Sequence, residues 1–253
     1  MQSVTLSLFR FGSASARLWA FSQMATARFE LRAIRDLQTY KLCGSGIGEG
    51  FTPIPNTAVY AILATWPDHD AARRAMMGTA VYRRYRARAD EALTIFLTPA
   101  SARGAWAGTE PFSPQDVTLD GPVAALTRAT VKPSVALKFW GQEPAISRAI
   151  GADPNVMFKI GIGEVPWMQQ VTFSVWPDTE TMADFARRDG PHARAIKAVR
   201  DGGWFREELY ARFRVDAAEG TWEGAAPDLS RRPETGAATA SPDTRDSMKV
   251  AAE

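Results

Sequence analysis

Apolar and polar positions alternate through residues 4–10, the two-residue period of a strand with one buried face. Residues 15–27 change to a helical period, with Leu18, Phe21 and Ala25 on one face. Short strands are expected at 40–43 and 58–66. Between them, Gly44-Ser45-Gly46-Ile47-Gly48-Glu49-Gly50 followed by Pro53 and Pro55 reads as a loop. A helix opens after Asp68, whose side chain suits a helix N-cap, and a strand at 92–97 closes the run. The order then recurs. A strand is expected at 123–131, mostly helix at 133–150, and strands at 156–160 and 170–176. A helical region follows Asp178, and the last strand is expected at 209–215.

The repeat is also visible in letters. Tyr40-Lys41-Leu42 precedes the first glycine run, and Phe158-Lys159-Ile160 precedes Gly161-Ile162-Gly163-Glu164. Trp66-Pro67-Asp68 ends one strand, and Trp176-Pro177-Asp178 ends its counterpart. Two βαββαβ units are two ferredoxin-like halves, each with helices on one sheet face. Packing the two bare faces together predicts an α+β barrel, with an N-terminal half over residues 1–115 and a C-terminal half over 116–216. Residues 217–253 mix Ala, Ser, Thr, Asp and Glu with Pro227, Pro233 and Pro242, and no aromatic follows Trp222. That stretch is expected to be a disordered tail, because it cannot bury enough surface to offset its ordering entropy.

Composition narrows the function classes. The 253 residues are 45% hydrophobic and 23% charged, which describes an ordinary globular chain. Thirty basic residues against 28 acidic ones leave no general case for nucleic-acid binding. The longest uninterrupted apolar stretch, residues 58–64, is far short of the ~20 residues that cross a bilayer. The chain begins directly on the first strand, without a signal-peptide core. A cytoplasmic protein is therefore expected, with peripheral membrane contact left open. One cysteine, Cys43, excludes an intramolecular disulfide, a CxxC redox pair and an iron–sulfur cluster on this chain.

Few residues can carry chemistry. With only His69 and His192, the common zinc sites are out of reach. The glycine run lacks the Gly-Lys-Ser/Thr of a P-loop, and prolines stand where a dinucleotide-binding helix should follow. No serine lies in a Gly-x-Ser-x-Gly setting. His69, in the first turn of its helix, is expected to be solvent-exposed and without a special role. His192 follows Gly190-Pro191, a helix start, and shares a face with Ala195, Ile196 and Val199. An imidazole on that apolar side either is hydrogen-bonded in the core or binds something. Counted from the two Trp-Pro-Asp motifs, His192 falls where the first half has Tyr82. Tyr82-Arg83-Arg84-Tyr85-Arg86-Ala87-Arg88 is a basic stretch, either a solvated helix face or a dock for an acidic electron donor or anionic headgroups. Eight tryptophans suit either a core or the walls of a long apolar ligand site.

Several strings carry a family resemblance. Leu8-Phe9-Arg10-Phe11-Gly12-Ser13, Lys41-Leu42-Cys43-Gly44-Ser45-Gly46, Gly50-Phe51-Thr52-Pro53 and Asn56-Thr57-Ala58-Val59-Tyr60 resemble the spheroidene monooxygenases, carotenoid ketolases of purple photosynthetic bacteria. So does Gly203-Trp204-Phe205-Arg206-Glu207-Glu208-Leu209-Tyr210-Ala211-Arg212-Phe213. The resemblance covers residues 2–215. It implies a haem iron protein that places a keto group at C-2 of acyclic carotenoids such as spheroidene and hydroxyspheroidene. Two hydroxylations of one methylene and loss of water would do this, with O2 as oxidant and reduced ferredoxin as donor.

The duplicated barrel also resembles chlorite dismutases, where the haem lies in the C-terminal half against a helix bearing its histidine. By that resemblance His192 becomes the expected metal ligand and cofactor-binding residue, with Glu207 or Glu208 folding back toward its second nitrogen. No distal catalytic residue is assigned. Cys43 as a thiolate ligand, and a non-haem site using both histidines and a carboxylate, stay as alternatives. So do a cofactor-independent barrel monooxygenase acting on another substrate and a non-catalytic module that binds an apolar ligand or haem.

Overall fold

A computed structural model describes residues 1–48, 52–141, 153–187 and 201–229. The first half comprises β1 (Ser3–Arg10), α1 (Ala14–Arg32), β2 (Thr39–Gly46), β3 (Pro55–Trp66), α2 (His69–Gly78), α3 (Ala80–Arg88) and β4 (Glu91–Gly104). The second comprises β5 (Val123–Val131), a 3-10 turn (Pro133–Val135), α4 (Ala136–Trp140), β6 (Phe158–Gly163), β7 (Gln169–Trp176), α5 (Thr179–Arg187) and β8 (Phe205–Gly220). The expected helix at 133–150 is short within the described residues, and its remainder from 142 lies outside them.

The eight strands close into an antiparallel barrel in the order β1-β3-β2-β6-β7-β5-β8-β4. Each half keeps the ferredoxin-like order, β4-β1-β3-β2 and β8-β5-β7-β6, so the duplicated α+β barrel read from the repeat is the observed fold. The halves join edge to edge. β4 pairs with β8 from Leu93–Gly220 to Gly104–Leu209, and β2 pairs with β6 at Gly44–Gly163 and Ser45–Ile162. The second seam lies where the two glycine motifs meet, so Gly44, Ser45 and Gly46 are strand residues rather than loop. Ser45 adds a hydrogen bond from its hydroxyl to the Gly161 carbonyl, 2.7 Å.

Alternation sorts the side chains. Val4, Leu6 and Leu8 of β1, Ile95 of β4, Leu126 of β5, Phe173 of β7 and Phe213 of β8 form one buried cluster inside the barrel. Residues of opposite parity face outward under the helices. Phe9, Tyr60, Ile62, Trp66 and Phe96 form a second cluster with α1, α2 and α3. A smaller third one joins Val123 and Trp176 to Met182 and Phe185 of α5. The two Trp-Pro-Asp junctions do the same work. Asp68 accepts the Ala71 amide at 2.7 Å and Asp178 accepts the Thr181 amide at 2.8 Å, each capping its helix.

The apolar row on α1 does not face the sheet. Ala20, Gln23, Ala27 and Leu31 face the sheet, whereas Leu18, Phe21 and Ala25 face outward. The reason lies in volume: the sheet beneath already supplies Phe11, Tyr60 and Ile62, so the helix needs small residues to approach it.

The expected tail begins too early. β8 continues to Gly220, paired throughout with β4, and the chain then makes a bridged turn from Trp222 to Ala225. This repeats the turn from Trp106 to Thr109 that follows β4. Gly104-Ala105-Trp106-Ala107-Gly108 and Gly220-Thr221-Trp222-Glu223-Gly224 are thus a further pair of matching segments. Gly104 (φ +100°) and Gly220 (φ +111°) take conformations that suit glycine, and a Cβ would lie 2.1 Å from the Glu208 carbonyl oxygen or 2.0 Å from that of Ala92. Leu229 is buried in the barrel cluster and Trp222 packs against it. Two aromatic and aliphatic anchors in a polar sequence are enough to hold residues 217–229 to the barrel. The remainder of the expected tail lies outside the described residues.

Candidate functional site

The two outer sheet faces hold the same backbone and different side chains. Trp66 and Trp176 align the halves, and strand register then matches residues one to one. Phe9 opposite Tyr60 corresponds to Ala129 opposite Gln170. Leu42 opposite Ile62 corresponds to Gly161 opposite Thr172. Phe96, level with Thr5, corresponds to Arg212, level with Ala125. All five first-half residues are buried core. Every counterpart is smaller or polar. At these five positions the C-terminal face carries less apolar bulk than the N-terminal one, and Lys159 on β6 and Arg212 on β8 add positive charge along its two flanking strands.

His192, the expected ligand, lies outside the described residues. Its counterpart Tyr82 is wholly buried on the sheet side of α3, 6.3 Å from the Trp66 ring. Among the described residues no hydroxyl partner serves Tyr82 or Tyr85, and burial pushes both phenols above their ordinary range. Also among the described residues, no cluster of three or more His, Cys, Asp and Glu could hold a metal ion.

Cys43 is on the wrong side of the sheet for an outer-face cofactor. It is fully buried inside the barrel. Burial first, and then the nearby Glu164 carboxylate, pushes its thiol far above the usual range, outweighing Lys41 and Arg128. A protonated thiol is a poor iron ligand.

His69 is not the idle surface residue expected. Asp216 can only accept when ionised, so His69 Nε2–H donates to its Oδ2 at 3.0 Å, and Nδ1 then accepts from the Ser3 hydroxyl at 2.5 Å. Thr98 Oγ1 and Arg214 Nε also donate to Asp216, at 2.7 Å each. Burial raises the Asp216 carboxyl, but hydrogen bonds from His69, Thr98 and Arg214 outweigh it and hold the group below its ordinary value. Ser3 is buried, so this Ser–His–Asp row joins β1, α2 and β8 and cannot meet a substrate.

Glu207 and Glu208 are engaged elsewhere than expected. Glu207 pairs with Arg128 and accepts the Ala107 and Gly108 amides at 2.8 and 2.7 Å. Burial pushes its carboxyl up, and those two amides and Arg128 bring it below its usual value. Glu208 accepts from the Tyr210 hydroxyl at 3.0 Å.

Arg128 itself was not singled out from the sequence. It points inward from β5, only 1% exposed, with its guanidinium 5.6 Å from the Trp106 ring centre. Lys41 lies 5.2 Å from the same ring, and the Trp106 indole donates to Glu164 at 2.6 Å. The group is charge-balanced and ties the β4–β5 and β6–β7 connections to the barrel wall. An arginine at an inward position of the 123–131 alternation is the signal that could have revealed it.

The basic stretch is mostly occupied in joining helices. Arg83 and Arg86 donate to the Gly78 and Met76 carbonyls at 3.0 and 2.6 Å, Arg84 pairs with Glu30, and Arg88 stacks 4.6 Å from the Trp19 ring.

The fold and its faces define a duplicated α+β barrel whose C-terminal face carries smaller or polar residues at five positions that are bulky in the N-terminal one. Comparison with known proteins is specific. The chain is 52% identical over 229 residues to the spheroidene monooxygenase of Cereibacter sphaeroides, covering 90% of this chain and 71% of that one. It is 50% identical over 234 residues to that of Rhodobacter capsulatus, covering 91% and 97%. It is 33% identical over 210 residues to that of Rubrivivax gelatinosus, covering 83% and 81%. The chain belongs to the spheroidene monooxygenase family, and so to the oxidoreductases.

No family model matches it. Among solved structures, a Fusobacterium nucleatum protein described as a monooxygenase overlaps with TM-score 0.38 and 11% identity, over 92% of this chain and 98% of that one. A protein described as a chlorite dismutase overlaps with TM-score 0.26 and 8% identity, over 86% and 96%. Scores this low add nothing to what the barrel itself shows.

Proposed function

We propose that this protein is a haem-dependent monooxygenase that converts the C-2 methylene of acyclic carotenoids, spheroidene and hydroxyspheroidene, to a ketone. The observation that carries the reading is the exchange of Phe9, Leu42 and Ile62 for Ala129, Gly161 and Thr172 in the half that bears His192. Smaller side chains at these positions of one face suit a flat macrocycle, and the names of the relatives supply the substrate class. His192 would hold the iron through one ring nitrogen, and Lys159 and Arg212 suit the carboxylates of such a ring.

When bound, the haem supplies oxygen activation, which no side chain can provide for an unactivated C–H bond. In each of two rounds, one C-2 hydrogen is replaced by hydroxyl. One oxygen atom of O2 enters the carotenoid and the other leaves as water, consuming two electrons from reduced ferredoxin and two protons. The geminal diol then loses water to give the ketone. The protein's own part is to hold the cofactor and position the polyene end.

The test is the visible spectrum and ketolase activity of the purified protein. The wild type should show a Soret band and form the 2-keto product with O2 and reduced ferredoxin. His192→Ala should lose both, while His69→Ala and Cys43→Ser keep the band. A wild type without a Soret band, or an unchanged band in His192→Ala, would reject the haem assignment or its ligand.

A further inference from the structure

We propose that the outward face of α1 docks the protein on an anionic lipid bilayer. The stripe consists of Leu18, Phe21 and Phe29, which are 71%, 65% and 74% exposed, with Ala25 between them. Their spacing puts them in one row about 17 Å long, at ~1.5 Å per residue. The opposite face of α1 is already buried on the sheet through Ala20, Gln23, Ala27 and Leu31. The outward row therefore contributes nothing to the core, and two exposed phenylalanines on a single row mark an interaction surface.

Charge selects the occupant. α1 carries Arg17, Arg28 and Arg32 and a single acid, Glu30, which Arg84 already pairs. By helical spacing Arg28 and Arg32 lie beside the stripe, and Ser22 and Thr26 lie on its other flank. Apolar rings in a row with guanidinium groups at their edge match the boundary between acyl chains and phosphate headgroups. A second copy of this chain fits less well, because a two-fold contact through α1 brings the same arginines together. The inference rests on the proposed function, since a carotenoid substrate is dissolved in membrane and the enzyme must reach it there.

Co-sedimentation of the full chain with vesicles of phosphatidylcholine and phosphatidylglycerol tests this. The wild type should pellet with mixed vesicles and much less with phosphatidylcholine alone. Phe21→Ser with Phe29→Ser should lower partitioning on the order of a hundredfold. Arg28→Gln with Arg32→Gln should lower it roughly tenfold. Both variants should keep the wild-type melting temperature and their turnover of detergent-solubilised spheroidene. A wild type that stays in the supernatant, or a double Ser variant that pellets equally, overturns the proposal. So does a wild-type dimer that the Ser pair dissociates while vesicle binding is absent. Vesicle binding without any carotenoid turnover would leave docking standing and reject the proposed function instead.

Discussion

The two halves of this barrel share strand order, helix caps and even the Gly-x-Trp-x-Gly turn after the last strand, yet they bury their helices differently. In the N-terminal half, Phe9, Leu42, Tyr60, Ile62 and Phe96 fill the layer between sheet and helices. In the C-terminal half their counterparts are Ala129, Gly161, Gln170, Thr172 and Arg212. The lesson is that one backbone order appears twice with different side chains at matching outward positions.

The comparison can be broken most forcefully by emptying the filled face. Phe9→Ala should cost about 3–5 kcal/mol and Leu42→Gly a similar amount, whereas Ala129→Gly should cost about 1 kcal/mol or less. Denaturant midpoints decide, and equal losses in both halves would erase the distinction. Inside the barrel, Arg128→Ala should cost about 3 kcal/mol, because it strips Glu207 of its partner and Trp106 of one neighbouring cation. Leu229→Ala should cost about 2–3 kcal/mol, and cutting the chain after Asp216 more, if residues 217–229 are part of the barrel; unchanged melting would return them to a tail.

The smallest effect is a pH dependence. Asp216 has its carboxyl held in the fold below its ordinary value of 3.8, so its contribution is complete above that pH. It is lost as pH falls through the lower folded value, because the unfolded chain takes up the proton first. Asp216→Asn should therefore lose stability at neutral pH and show a flatter decline as pH falls through and below the ordinary carboxyl value. Parallel wild-type and variant curves would show that the His69, Thr98 and Arg214 bonds contribute nothing.

Much of the fold was legible because it is local. Alternation marked β1, β3, β5 and β7, and the paired Trp-Pro-Asp junctions exposed the duplication and hence the barrel. The outward turn of α1 was not legible, since Leu18, Phe21 and Ala25 have a proper apolar spacing and only the bulk of Tyr60 and Ile62 on another element decides which face goes in. His69 was misread for a similar reason: its partner Asp216 is 147 positions away, and nothing near His69 announces it. The end of β8 was missed because composition judged residues 217–229 by averages, when Trp222 and Leu229 were sufficient anchors. Of the candidate site, the family strings were readable, and His192 lies outside the described residues. The thinning of the C-terminal face was not readable, because it depends on strand register.

The most direct test of the unequal faces is the Soret absorbance of two variants, one in each half, read at equal protein concentration after both are shown to be folded. Gly161→Leu, with Thr172→Ile, gives the C-terminal face the residues of the N-terminal one and should remove the band by filling the space. Leu42→Val in the N-terminal half, a comparable disturbance of the opposite face, should leave the band intact. A full Soret band in the filled variant would contradict the claim that this face holds the cofactor.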